Sequence, residues 1–216
     1  QLDPAFAMAY NAGSDSIHQT MSDSGCGPVS AVNALSSMGV DVDPRVAAQY
    51  ALDNGYKEQN GGTIPTFFKD FMGKAGVDAQ NVSGNQITDS LKAGNPVVLM
   101  GKDGRGTNPN NPFAENPHYV TATGMDDNGN IVVQDPESYT PNQVYKASDV
   151  IGRSSVAIAA NRYGSGKMGR VPQYGKGRSR YGRGTDNAEF IWNWLINQGF
   201  SNQAAAGILG NMQQEC

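Results

Sequence analysis

Cys26 stands in the run Ser24-Gly25-Cys26-Gly27-Pro28-Val29-Ser30, at the entrance of a stretch whose apolar residues recur at helical spacing. That placement is chemically useful. The partial positive charge at a helix N-terminus favours a thiolate, and free backbone N–H groups there can hold an oxyanion. Gly25 and Gly27 let a substrate backbone come close, and Pro28 suits a first helical turn. The chemistry implied is nucleophilic attack on a carbonyl carbon. The alternative is an inert cysteine buried in a core helix, and the flanking glycines speak against it.

A thiol nucleophile needs a base, and the chain has 2 histidines. His118 begins the strand-like run His118–Met125, and Asp135 ends the run Asn130–Gln134 that follows it. The two runs are joined through Asp126-Asp127-Asn128-Gly129, a strong hairpin signal. Opposed ends of a hairpin lie side by side, so His118 and Asp135 fall at one edge of the sheet, where the carboxylate can fix the imidazole tautomer. His18 is the rival base, on an irregular segment with no carboxylate at an orienting spacing. Gln19, a few residues ahead of Cys26, carries a side-chain amide able to donate a second hydrogen bond to a tetrahedral oxyanion.

The elements that must position these groups are also legible. Val29–Met38 reads as a helix that stops at Gly39. Asp43-Pro44 opens a second helix through about Asp53, with Asp43 as cap and Pro44 at the first helical position, closed by Asn54-Gly55. Thr63–Lys74 places Ile64, Phe67, Phe68 and Phe71 on one helical face, and Gln86–Lys92 forms a short fourth helix. The period then changes: Pro96–Met100, the two hairpin runs and Ser154–Ala160 read as strands. Residues 102–117 are too polar and proline-rich for a strand and form a loop ahead of His118. Helices first and an antiparallel sheet afterwards predict an α+β fold with N-terminal helices packed on the sheet.

Charge divides the chain. Residues 1–160 hold 17 acids and 9 bases, residues 161–184 hold 7 bases and no acid, and the remainder holds 3 acids, within a net charge of -4. Residues 1–160 therefore read as one acidic domain. Residues 161–184, where Tyr-Gly recurs, read as a basic linker, either a solvated tether or a contact for anionic polymers. Residues 185–216 read as two short helices that cannot bury a core of their own, the beginning of a further domain. No apolar run approaches the roughly 18 residues that cross a membrane. The 2 cysteines, Cys26 and Cys216, are neither a disulfide framework nor a zinc cluster; a bond between them stays open, but Cys26 reads better as a free nucleophile. Because Gln1 opens the chain, it reads as cut or expressed from inside a longer protein, which leaves secretion open.

Gln19…Ser24-Gly25-Cys26-Gly27-Pro28, then Pro117-His118-Tyr119-Val120, then Val132-Val133-Gln134-Asp135-Pro136, resembles the bacteriocin-processing peptidase family over about residues 16–160. The resemblance implies a papain-like fold, with Gln19 as oxyanion donor, Cys26 as nucleophile, His118 as base and Asp135 as its orienter. Transporter-linked members usually carry Asp immediately before the cysteine, where this chain has Gly25, which points to the freestanding or phage-associated branch. Glu189-Phe190-Ile191-Trp192-Asn193-Trp194-Leu195 and Ala206-Gly207-Ile208-Leu209-Gly210-Asn211-Met212-Gln213-Gln214-Glu215 resemble the opening of the phage tail lysozyme family. That likeness implies Glu215 as the general acid of a glycosidase, with Cys216 where a serine is more familiar. With the domain cut there, no enclosing pocket raises the pKa of the acid and no lysozyme activity is expected.

The expectation is a cysteine peptidase that cleaves amide bonds without metal or organic cofactor. The leading substrate is peptidoglycan peptide, at the bacterial cell wall, from a secreted or virion-associated protein. The linker is a candidate contact for anionic wall polymer, and no nucleic acid partner is expected. The alternatives are a peptidase that processes proteins, its own Gly-rich linker included, and a catalytically silent papain-like binding module.

Overall fold

The computed structural model describes residues 9–13, 16, 20–101, 113, 117–138 and 142–161. His18, Gln19, residues 102–112, the linker beyond Asn161, Glu215 and Cys216 lie outside these residues. Among the described residues six helices and six strands follow one another: α1 (Met21–Ser24), α2 (Cys26–Ser37), α3 (Pro44–Asp53), α4 (Thr66–Lys74), β1 (Asp78–Asn81), α5 (Asn85–Lys92), β2 (Val97–Gly101), β3 (His118–Met125), β4 (Ile131–Gln134), β5 (Gln143–Tyr145), α6 (Ala147–Arg153) and β6 (Ser154–Asn161). Every strand pairing is antiparallel, in the order β1-β6-β2-β3-β4-β5.

Local chemistry explains most boundaries. The Asp43 side chain accepts from the Arg45 N–H at 2.8 Å and Pro44 fills the first helical position, so α3 starts where expected. Helix α2 begins at Cys26 rather than Val29, because Pro28 needs no N–H partner in a first turn and the Val29 N–H already bonds the Gly25 carbonyl at 3.1 Å. Helix α4 begins at Thr66, three residues later than expected. Thr63 instead pairs with Lys57 as an isolated bridge, and the Ile64 N–H bonds the Tyr56 carbonyl. Between β3 and β4, the Asp126 carboxylate accepts from the N–H groups of Asn128 and Asn130, and Gly129 takes φ 79°, which favours glycine.

The period-2 alternation of the strands feeds two cores. Val97, Leu99, Val120, Ala122, Ile131, Val133, Ala157 and Ala159 form one face with Ile87 and Leu91 of α5 and Val150 of α6. The opposite face receives the N-terminal helices. Tyr119 of β3 packs its ring 4.8 Å from that of Phe68, and Thr121 donates to the Ser30 carbonyl at 2.8 Å. Helix α2 is buried on nearly every side over Cys26–Ala31, so it is an interior helix rather than a surface amphipathic one. The sheet is thus covered on both faces, with α5 and α6 forming a layer beyond the N-terminal helices.

Candidate functional site

Cys26, His118 and Asp135 come from three different elements and meet in the fold. Cys26 is the first residue of α2, His118 the first of β3, and Asp135 follows the last of β4. In the β3–β4 ladder Thr121 pairs with Gln134, so the chain beyond each partner brings His118 and Asp135 to the same edge. His118 Nε2 lies 2.7 Å from Asp135 Oδ1. Cys26 is a free thiol, near enough to His118 to act on the ionisation of its ring. Glu137 Oε1 stands 3.5 Å from His118 Nδ1.

The three groups are recessed: Cys26 is 8% exposed, His118 2% and Asp135 7%. Burial alone would drive the imidazole down. Its hydrogen bond to Asp135, with the hydrogen bond and charge of Cys26, outweighs burial and raises it from the ordinary 6.5 to about 10. At neutral pH His118 is therefore held as the imidazolium. Asp135 is itself held by a turn: its Oδ1 also accepts from the Glu137 N–H at 2.9 Å, and the Ser138 N–H bonds its carbonyl at 3.1 Å.

Residues outside the motifs complete the surroundings. Tyr10 donates or accepts at Thr63 Oγ1, 2.6 Å away, and Lys57 Nζ, 5.5 Å from the Tyr10 ring centroid, donates to the carbonyls of Glu58 and Gly61. Burial, and to a lesser degree the charge of Cys26, pushes the phenols of Tyr10 and Tyr119 up, which keeps both neutral. Tyr10 and Thr63 belong to this region through the closeness of Thr63 to Gly27, and Glu137 through His118 and Asp135; nothing in local sequence marks them.

Gly25 and Gly101 are required by space. A Cβ on Gly25 would stand 2.3 Å from the Met21 carbonyl oxygen, so this backbone has no room for the aspartate found before the cysteine in transporter-linked peptidases. Gly101 is the ladder partner of His118, and a Cβ there would meet Phe113 Cδ2 at 2.5 Å and the Arg153 carbonyl oxygen at 2.6 Å.

A cavity of about 750 Å³ lies elsewhere, between α4 and β1, lined by Tyr56, Lys69, Asp70 and Gln80 among others. Within it Asp70 accepts from the hydroxyls of Tyr50 at 2.5 Å and Tyr56 at 2.9 Å, and the Tyr50 bond above all holds its carboxyl below the usual value. Among the described residues no group of three His, Cys, Asp or Glu side chains is arranged to hold a metal, and no helix is long and apolar enough to cross a membrane.

The model of the Peptidase_C39 like family matches residues 12–168. The chain belongs to that family. A second model, phage tail lysozyme, matches residues 186–216. Among solved structures, the peptidase domain of Streptococcus ComA, a bi-functional ABC transporter of a quorum-sensing pathway, is 15% identical, with 63% of this chain and 91% of that one covered at a TM-score of 0.47. A protein described as a C39-like peptidase from Bacillus anthracis is 18% identical, covering 65% and 90% at 0.47. The ComA peptidase domain of Streptococcus mutans is 13% identical, covering 71% and 98% at 0.42. No curated protein matches the chain. Membership in the Peptidase_C39 like family makes this chain a cysteine-peptidase homologue, and the tail-lysozyme match associates it with phage.

Proposed function

We propose that residues 1–160 are a catalytically competent cysteine peptidase whose substrate is the peptide portion of peptidoglycan. The observation that carries the chemistry is the buried bond of His118 to Asp135, at 2.7 Å, with Cys26 at the start of α2 near enough to act on the same ring. With the His118 ring already protonated, Cys26 attacks the amide carbonyl as the thiolate of a thiolate–imidazolium pair. The Cys26 backbone N–H and the Gln19 side chain hold the oxyanion. His118 then protonates the leaving amine, and water, deprotonated by His118, releases the acyl group from Cys26. Asp135 keeps the proton on Nε2 throughout and is not itself protonated.

The substrate class rests on residues 186–216. A phage tail lysozyme segment on the same chain as a peptidase suits a secreted or virion-associated protein that opens the cell wall at two kinds of bond. The basic linker, residues 161–184, would hold anionic wall polymer. Glu215 is the glycosidase acid of the lysozyme part, inactive unless the rest of its domain encloses it. The test is release of new amines from purified peptidoglycan. Wild type should release them, and Cys26→Ala and His118→Ala should not.

A second reading, a protein-processing peptidase, is favoured by the Gly-rich stretch Gly175–Gly184 of the linker, which is open in sequence to cleavage by such an enzyme. Intact mass spectrometry of wild type against Cys26→Ala decides it: loss of the C-terminal segment in wild type alone means self-processing.

A further inference from the structure

The cavity between α4 and β1 is separate from the site just assigned. Its lining includes none of Cys26, His118 and Asp135, and it lies at the end of the sheet, where β1 has β6 on one side only. At about 750 Å³ it is of the size that holds a small ligand. Its walls are set before anything binds. The Tyr56 ring stacks on that of Tyr50, centroids 6.3 Å apart, and stands edge-on to Phe67. The hydroxyls of Tyr50 and Tyr56 both donate to Asp70 Oδ2, which fixes the carboxylate and leaves Oδ1 as an acceptor without a hydrogen bond among the described residues. Gly73 lies one turn of α4 beyond Asp70, and a Cβ there would meet no atom within 4 Å, so the helix surface is bare at that point. Gln80, whose amide nitrogen donates to Asp78 at 2.6 Å, and Asn81 form the β1 side.

The charges of the wall limit what fits. Lys69 and Lys74 oppose a cation and the Asp70 carboxylate opposes an anion, so the lining favours a neutral, polar ligand. It offers a fixed acceptor in Asp70 Oδ1, charged donors in the lysines, the amides of β1, and a part-exposed aromatic ring in Tyr56. Neighbouring hydroxyls on a sugar ring both give and accept hydrogen bonds at one place, and the C–H face of that ring suits the tyrosine. A peptide amide keeps its donor and acceptor apart and makes less use of a carboxylate placed among ammonium groups. We propose that this cavity is a saccharide-binding subsite, and that it holds an N-acetylated wall glycan while Cys26 works on the attached peptide. The saccharide chemistry comes from the cavity itself; the choice of a wall glycan rests on the peptidoglycan reading above.

The test is titration of the full chain with chitotetraose, the soluble β-linked tetramer of N-acetylglucosamine, followed by amide NMR. Saturable shifts are expected at Gly73, Gln80 and Asn81. Gly73→Gln fills the bare helix surface and removes a poor helix former, so the melting temperature should hold or rise. Binding of the tetramer should weaken by about tenfold, roughly the worth of one good hydrogen bond. The same variant should release amines from intact peptidoglycan more slowly than wild type, and from free stem peptide at the wild-type rate. No saturable shift at those amides, an affinity that Gly73→Gln leaves unchanged, or shifts produced there by stem peptide instead of the tetramer overturns the inference. Amine release by wild type alongside any of these leaves the peptidase reading standing. Tetramer binding as expected without amine release removes that reading and the wall assignment, and keeps the saccharide site.

Discussion

Thr63 sits so close to Gly27 that a Cβ on the glycine would lie 2.6 Å from both Cβ and Oγ1 of the threonine. Thr63 is also bonded to Tyr10, and Lys57 ties its own loop through the carbonyls of Glu58 and Gly61. The N-terminal segment and the loop ahead of α4 therefore clasp the first turn of α2 next to Cys26. Gly27→Ala should lower stability by about 1–3 kcal/mol, as overpacking does, and should slow alkylation of Cys26. Thermal denaturation and iodoacetamide kinetics check both. A variant as stable and reactive as wild type would show that the clasp gives way freely.

Asp135→Asn keeps the shape of the side chain but lets the amide donate to Nε2, favouring the tautomer that puts the proton on the wrong nitrogen. The expected result is a loss of roughly 10²–10⁴-fold in kcat, the span of a general acid–base contribution, with little change in KM. Peptide-release kinetics read it out. Loss of KM alone would mean that Asp135 shapes the substrate cleft instead.

His118 links folding to pH. Its folded-state value of about 10 lies above the ordinary 6.5, so the protonated ring is bound more tightly in the folded protein. The stability it contributes is fully present below about 6.5 and is lost as pH rises through about 10. His118→Gln should therefore cost more stability at pH 6 than at pH 10.5, measured by denaturant titration of wild type and variant. An equal cost at both pH values counts against a charged ring.

Cys26 helps to raise the imidazole by its hydrogen bond and its charge. Cys26→Ala should then move the His118 titration downward, followed by NMR of the ring protons. A titration unmoved by the substitution would mean that the thiol and the ring are not coupled.

Thr121 joins the strand of His118 to the helix of Cys26 through its buried bond to the Ser30 carbonyl. Thr121→Val should cost about 0.5–1.5 kcal/mol, the net worth of a lost hydrogen bond whose acceptor keeps its helical partner, and activity should fall as the two elements lose their tie. Stability lost with full activity kept would assign Thr121 to packing alone.

How much of this was legible beforehand depends on how local each feature is. Helix α3 declares itself through Asp43-Pro44 and Asn54-Gly55, and β3 through the run from His118 to Met125 that ends in a turn sequence. The meeting of His118 and Asp135 follows from the same hairpin, because a two-strand register is set by residues close in sequence. Strand β1 carried no such signal. Asp78-Ala79-Gln80-Asn81 is polar and short, and it is a strand because β6, some eighty residues later, offers it a ladder. Strand β5 and helix α6 are of the same kind, three and seven residues defined by what they cover.

By itself the sequence determined the chemical types at the site and the local elements that carry Cys26, His118 and Asp135, since period, capping and turn preference act over a few residues. The tertiary structure alone decided the strand order, the second helical layer, and the seating of Tyr10, Thr63 and Glu137 around the cysteine and histidine. Those contacts join residues far apart along the chain or depend on the direction of one side chain, and they form only when burial of the two sheet faces brings the segments together.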